Sequence, residues 1–123
     1  MAAPPSKAHP NRLDILTNYL KLSRDQRKRV LTIMDDGQKE AAPMRDQMVK
    51  TGAEVAAAGD NSEETNRAVK IYAELQTKMV DIEMKAFAQI YRLLDSAQQQ
   101  RTEGVFRMMS GIFKGKNWTE IEP

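Results

Sequence analysis

Two short stretches of this chain decide its fold: LSRDQRKRV at residues 22–30 and LLDSAQQQR at residues 93–101. In each stretch a leucine precedes a residue with a short polar side chain, and a glutamine follows three positions after that residue. This spacing is typical of a capping box, in which the cap residue and the glutamine each accept a hydrogen bond from the other's backbone N–H at a helix start. The repeat therefore predicts two helix starts, marked by Leu22, Ser23, Gln26, Leu94, Asp95 and Gln98.

The composition favours helices along most of the chain. Ala, Gln, Glu, Lys, Arg and Met are abundant, and these residues lose little side-chain freedom in a helix. The apolar spacing predicts a short first helix, long helices over about 24–58 and 62–94, and a fourth helix that starts at Asp95 and continues through Met109. We expect an all-α fold of four helices, with the two long ones antiparallel in an elongated hairpin.

The chain divides into three segments. Residues 1–10 show no apolar core, and we expect them to form a flexible N-terminal arm. Residues 11–110 form the helical domain. Residues 111–123 form a C-terminal tail, whose apolar anchors are Ile112, Phe113 and Trp118.

The length of the hairpin predicts a dimer. A helix of about 33 residues is roughly 50 Å long, whereas a compact chain of this size has a radius of gyration of about 14 Å. Such a hairpin has more apolar surface than one chain can cover, and two-fold symmetry is the commonest remedy. We expect a homodimer with contacts at Tyr72, Val80, Phe87 and Tyr91. The alternative is an extended monomer that folds back its tail, with Trp118 covering the exposed stripe.

Charge is distributed unevenly along the chain. The net charge is +2, but residues 1–29 carry +5 and residues 30–123 carry −3. A basic cluster at the start of the first long helix, with methionines further along it, is a candidate surface for unfolded or partner proteins. Its residues are Arg24, Arg27, Lys28, Arg29, Met44 and Met48. The alternative is a solvated basic helix face, with methionines that fill the hairpin core.

Several function classes lack the residues that they need. The absence of cysteine excludes disulfides, thiol catalysis and cysteine-based zinc sites. The single histidine, His9, lies in the arm, so we expect no metal site. No glycine-rich phosphate loop and no nucleophile–base pair is present, so we expect no enzyme, no cofactor and no small-molecule substrate.

Nucleic-acid binding and membrane insertion are also not expected. The link between the first two helices lacks the glycine turn of a helix-turn-helix, and the second helix is far too long for that motif. No stretch approaches the roughly 20 apolar residues that span a bilayer. The first residues, as written, do not have the apolar segment of a signal peptide.

The repeated phrase resembles the LTxxQ signature of the Spy/CpxP family, written here as LSRDQ at 22–26 and LDSAQ at 94–98. The segment FAQIYRLLDSAQQQ is similar to that family's approach to its second motif, and the resemblance covers residues 11–110. Ser23 keeps the hydroxyl of the family's threonine and Asp95 replaces it with a carboxylate. Both side chains can cap a helix.

The resemblance implies a periplasmic protein whose two motifs come together, in a cradle-shaped helical dimer. The family includes ATP-independent chaperones, envelope-stress regulators that inhibit a sensor kinase, and metal sensors. For this chain we expect a stress-response chaperone that holds unfolding proteins. The alternative is an envelope-stress or metal-responsive regulator that binds a sensor-kinase domain.

Overall fold

The computed structural model describes residues 11–59 and 62–120, and within them every regular element is helical. The predicted arm at residues 1–10 lies outside this part of the chain. In order, the elements are α1 (Arg12–Leu20), α2 (Arg24–Ala58), α3 (Ser62–Leu93), α4 (Ser96–Gln99), α5 (Thr102–Met108) and a 3-10 turn (Ile112–Lys114). The all-α class and the two long helices are thus confirmed.

The long helices α2 and α3 form an antiparallel hairpin. Gln26, in the first turn of α2, donates to the carbonyl of Leu93 at the last residue of α3, at 3.0 Å. Further along, Lys85 pairs with Glu40 at 3.1 Å. The core between the two helices consists of Val30, Met34, Ala41, Met48, Leu75, Met79, Ile82, Ala86 and Ile90.

Shorter elements pack against this hairpin and bury further apolar side chains. The α1 helix contributes Leu13, Leu16 and Leu20 to the core. In α5, the Phe106 ring stacks on Phe87 of α3, with a centroid distance of 4.6 Å and an angle of 2° between the ring planes. Phe87 is only 3% exposed. The structure therefore removes Phe87 from the predicted dimer contact, because the chain's own α5 already covers it.

The fourth predicted helix is divided in two, so the described residues contain five helices rather than four. At the division, the Arg101 N–H donates to the carbonyl of Gln98, three residues back, at 3.0 Å. The Thr102 hydroxyl donates to the carbonyl of Gln99 at 2.7 Å. Side-chain bonds of this kind compete with the helical backbone pattern, and here they accompany a tight turn between α4 and α5.

The C-terminal tail folds back onto the helices. Ile112, Phe113 and Trp118 are all buried, as their anchor role requires. The Trp118 indole N–H donates to Asp35 of α2 at 2.9 Å. The tail therefore covers the side of α2 that carries Asp35, and it leaves Tyr72, Val80 and Tyr91 of α3 exposed.

Candidate protein-binding site

The two repeated motifs meet in space. Gln26 Nε2 donates to Gln98 Oε1, and Gln98 Nε2 donates to Gln26 Oε1, each at 2.9 Å. Each amide also donates, at 3.0 Å, to a carbonyl at the end of the helix before the other motif: Gln26 to Leu93 and Gln98 to Leu20. The last carbonyls of a helix have no partner within it. The two glutamines therefore join the α1–α2 junction to the α3–α4 junction.

Both motifs also cap their own helices, as the sequence predicts. The Ser23 hydroxyl accepts from the Gln26 N–H at 3.1 Å, and the Asp95 carboxylate accepts from the Gln98 N–H at 2.9 Å. In return, each glutamine side-chain oxygen accepts the N–H of its cap residue at 2.9 Å. A third box, Asn11 with Asp14, starts α1. Of the motif leucines, Leu94 is buried and Leu22 packs partly buried against the core.

The basic cluster at the start of α2 does not form one uniform patch. Arg27 pairs with Asp14 of α1 at 3.3 Å, so its side chain links two helices. Arg29 pairs with Asp25 at 3.1 Å but is 62% exposed. Arg24 and Lys28 are exposed as well. Exposed pairs of this kind contribute little to stability, so a partner can replace Asp25 at Arg29 at little cost.

The two candidate methionines have different positions. Met48 is 7% exposed and belongs to the hairpin core, so it is removed from the predicted client surface. Met44 is half-buried and lines a cleft between α2 and α3. Sixteen residues separate Lys28 from Met44, which corresponds to about 24 Å along the helix. The basic and methionine residues therefore contribute to separate parts of a long surface.

Two shallow clefts between α2 and α3 are open to solvent. One is lined by Lys28, Arg29, Thr32, Ile33 and Leu93. The other is lined by Glu40, Met44, Lys78, Asp81, Ile82 and Lys85. Arg29, Ile33 and Met44 lie within about 60° of one another around α2, so the two clefts share a side of the hairpin. We call the residues that line these two clefts the open face. It combines apolar side chains with charged ones.

Comparison with protein families identifies the chain's relatives. A family model described as LTXXQ motif family protein matches residues 10–105, which include both motif glutamines, Gln26 and Gln98. The chain belongs to the LTXXQ motif family. This is the family of Spy/CpxP-type periplasmic proteins, and the resemblance of the two motifs is thereby confirmed. A search of curated proteins and a search of solved structures each found no match.

Apolar side chains remain exposed along α3 of this LTXXQ protein. Of the residues predicted to contact a second copy, Tyr72 is 37% exposed, and Val80 and Tyr91 are each 44% exposed. Val69 and Met84 extend the same stripe. We call these five residues the α3 stripe. Apolar side chains exposed along one helix are a candidate for a protein–protein contact.

A second apolar surface, between α1 and α5, was not predicted from the sequence. Ile15 and Tyr19 of α1 and Met108 of α5 are exposed and line a groove of about 280 Å³. The 83% exposure of Met108, directly beside the buried Met109, could not be inferred from the pair MM itself. The sequence feature that indicates this groove is the pair Ile15 and Tyr19, which lie four residues apart and place two apolar side chains on the exposed side of α1.

The described residues contain no cluster of three or more His, Cys, Asp or Glu side chains that could hold a metal ion. Within the same ranges, none of the helices combines the length and the apolar character needed to cross a bilayer.

Proposed function

We propose that this LTXXQ protein is a periplasmic, ATP-independent chaperone that holds unfolding proteins. The observation that carries the proposal is the open face, where the half-buried apolar side chains of Ile33, Met44 and Leu93 lie among charged side chains of both signs. Unfolded chains present apolar and charged groups in no fixed order. A long, shallow surface that offers both kinds of contact suits such partners.

The physical chemistry of the open face supports capture of varied clients. Lys28 and Arg29 are exposed, and clustered positive charge raises the encounter rate with acidic segments. Met44 is a flexible side chain that repacks against different partners with little strain. Together these features favour broad binding over the selection of one sequence.

The proposed active form is a homodimer. The α3 stripe would supply the contact, since Tyr72, Val80 and Tyr91 are exposed in the single chain. A two-fold interface pairs the same patch on both copies. A stripe that runs along a helix of 32 residues is suited to such a contact.

A second candidate function is regulation through one specific partner, such as the sensory domain of a membrane kinase. The groove between α1 and α5 favours it, because a defined apolar groove selects a matching shape more than an open surface does. A regulator of this kind would bind its partner and leave unrelated unfolded proteins alone.

A client panel distinguishes the two candidates. Several unrelated proteins would be driven to aggregate, by reduction or by heat, with and without equimolar LTXXQ protein and with no nucleotide present. A holdase lowers light scattering for most of the panel. Absence of protection across the whole panel would exclude the chaperone proposal and favour regulation.

A further inference from the structure

The described part of the C-terminal tail, residues 111–120, lies in a groove formed by α1, α2 and α3. Its three apolar anchors are buried: Ile112 is 6% exposed, and the two aromatic anchors, Phe113 and Trp118, are each 1% exposed. The Phe113 ring packs so closely over Gly37 that a Cβ there would lie 2.5 Å from the ring's Cζ. The Trp118 indole donates to Asp35 at 2.9 Å. Residues 114–117, between the two aromatic anchors, are exposed, so the groove holds two large side chains five positions apart.

Side chains of the helices hold the tail by its backbone. The Glu83 carboxylate accepts the first two N–H groups of the tail. Gln38 and Arg45 both donate to the carbonyl of Gly115, at 2.9 and 3.0 Å. Arg12 donates to two later carbonyls, at 3.0 and 2.6 Å. Every peptide has these backbone groups, so these contacts do not depend on the side chains of the bound segment.

The groove and its occupant differ in their relation to the family. The family match ends at residue 105 and includes every groove residue named above, from Arg12 to Glu83. The tail lies entirely beyond the match. The groove residues therefore lie in the part of the chain that the family model covers, and the segment that fills the groove lies outside it.

We propose that this groove is a client-binding site for segments that can follow the tail's path, with a 3-10 turn and two large apolar side chains about five residues apart. The tail occupies it as a displaceable substitute and leaves when such a segment binds. This inference rests on the proposed holdase function and specifies the chemistry of one class of client. It also makes Trp118 a reporter, because a displaced tail carries the indole from a buried site into water.

The first experiment follows the fluorescence of Trp118, the chain's only tryptophan. The full-length protein is titrated with a tryptophan-free peptide of residues 110–120, in which Trp118 is replaced by phenylalanine. Displacement of the tail shifts the emission to longer wavelength in a saturable way. A peptide of the same composition in scrambled order, with its two aromatic residues adjacent, is the control and leaves the emission unchanged.

Two substitutions release the tail but treat the groove differently. Phe113→Ala removes one anchor and leaves the groove intact. A fluorescein-labelled copy of the peptide therefore binds this variant at least about tenfold more tightly than it binds the wild type. Gly37→Ala also expels the Phe113 ring, but its methyl group stays in the pocket. Both variants have red-shifted Trp118 emission, and only Phe113→Ala gains affinity for the peptide. Circular dichroism checks that both variants stay helical.

The outcomes separate this inference from the holdase proposal. If Phe113→Ala has red-shifted emission and binds the peptide no better than the wild type, the groove is not a client site. If Phe113→Ala does not fold, the wild type decides: client protection with unchanged Trp118 emission overturns the inference and leaves the holdase function standing. If the peptide displaces the tail while no client is protected, the holdase proposal fails and the groove remains a peptide site.

Discussion

Gln26 and Gln98 bind each other through two side-chain hydrogen bonds of 2.9 Å, although 72 residues separate them in the chain. Each glutamine also completes a capping box at its own helix. The repeated motif thus has two structural roles. It starts two helices, and it joins the starts across the end of the hairpin.

Replacing Gln98 with alanine should destabilise the fold by about 2–4 kcal/mol, because the buried amide serves a cap, a partner glutamine and the carbonyl of Leu20. Gln26→Ala should cost less, since Gln26 is more exposed. The double variant should show a coupling of at least about 0.5 kcal/mol in urea unfolding. The control, Gln100→Ala, changes an exposed glutamine and should stay within about 0.5 kcal/mol of wild type.

The caps themselves make a separate prediction. Ser23→Ala and Asp95→Ala should each lower the free energy of unfolding by about 0.5–2 kcal/mol, because each removes the side-chain oxygen that accepts a glutamine backbone N–H. Asp95→Thr restores the family's residue and should recover most of the loss. Urea midpoints measure the effect. Midpoints equal to wild type for both alanine variants would show that the caps do not contribute.

The sequence predicted the features that depend on neighbours along the chain. Ser23 with Gln26 and Asp95 with Gln98 are three residues apart, and such spacing defines a cap without knowledge of the fold. The division between α4 and α5 has no glycine or proline to mark it. There the Thr102 hydroxyl bonds to a nearby carbonyl, and the residue pattern alone does not distinguish this turn from a continuous helix.

The tertiary contacts were harder to predict. Phe87 fits an apolar stripe on α3, but helical period does not say whether a second chain or Phe106 covers it. Met48 was placed on the client surface for the same reason, and it faces the core. The bond between Trp118 and Asp35 spans 83 residues and leaves no local signal in the sequence.

Arg12 is predicted to hold the tail in place. It donates to the carbonyls of Trp118 and Glu120, and its own N–H donates to the carbonyl of Thr119. Arg12→Met removes the two side-chain bonds, and we expect a loss of about 1–3 kcal/mol with red-shifted Trp118 emission. Arg24→Met, at an exposed arginine, is the matched control. Unchanged emission in Arg12→Met would mean that the apolar anchors alone fix the tail.

The dimer proposal predicts a mass twice the 13.9 kDa of the chain in analytical ultracentrifugation at tens of micromolar. Val80→Lys places a charge in the α3 stripe and should shift the equilibrium strongly toward monomer, because a buried unpaired charge is costly. Gln89→Lys makes an exposed charge elsewhere on α3 and should leave the mass unchanged. A wild-type protein that sediments as a single chain at these concentrations would refute the dimer.

The central claim is that the open face holds unfolding proteins, and light scattering during client aggregation tests it most directly. The wild type, Lys28→Glu/Arg29→Glu and the control Lys114→Glu/Lys116→Glu, whose lysines are exposed on the tail and line neither cleft of the open face, are compared at equimolar ratio. Both double variants have the same net charge, and exposed substitutions of this kind should leave helicity intact.

We expect the wild type and the control to suppress aggregation. The Lys28/Arg29 variant should capture clients more slowly, and added salt should slow the wild type similarly, since exposed charges are screened within about 10 Å at 0.1 M. Equal protection by all three proteins would contradict the role of the open face, and no protection by the wild type would contradict the holdase function itself.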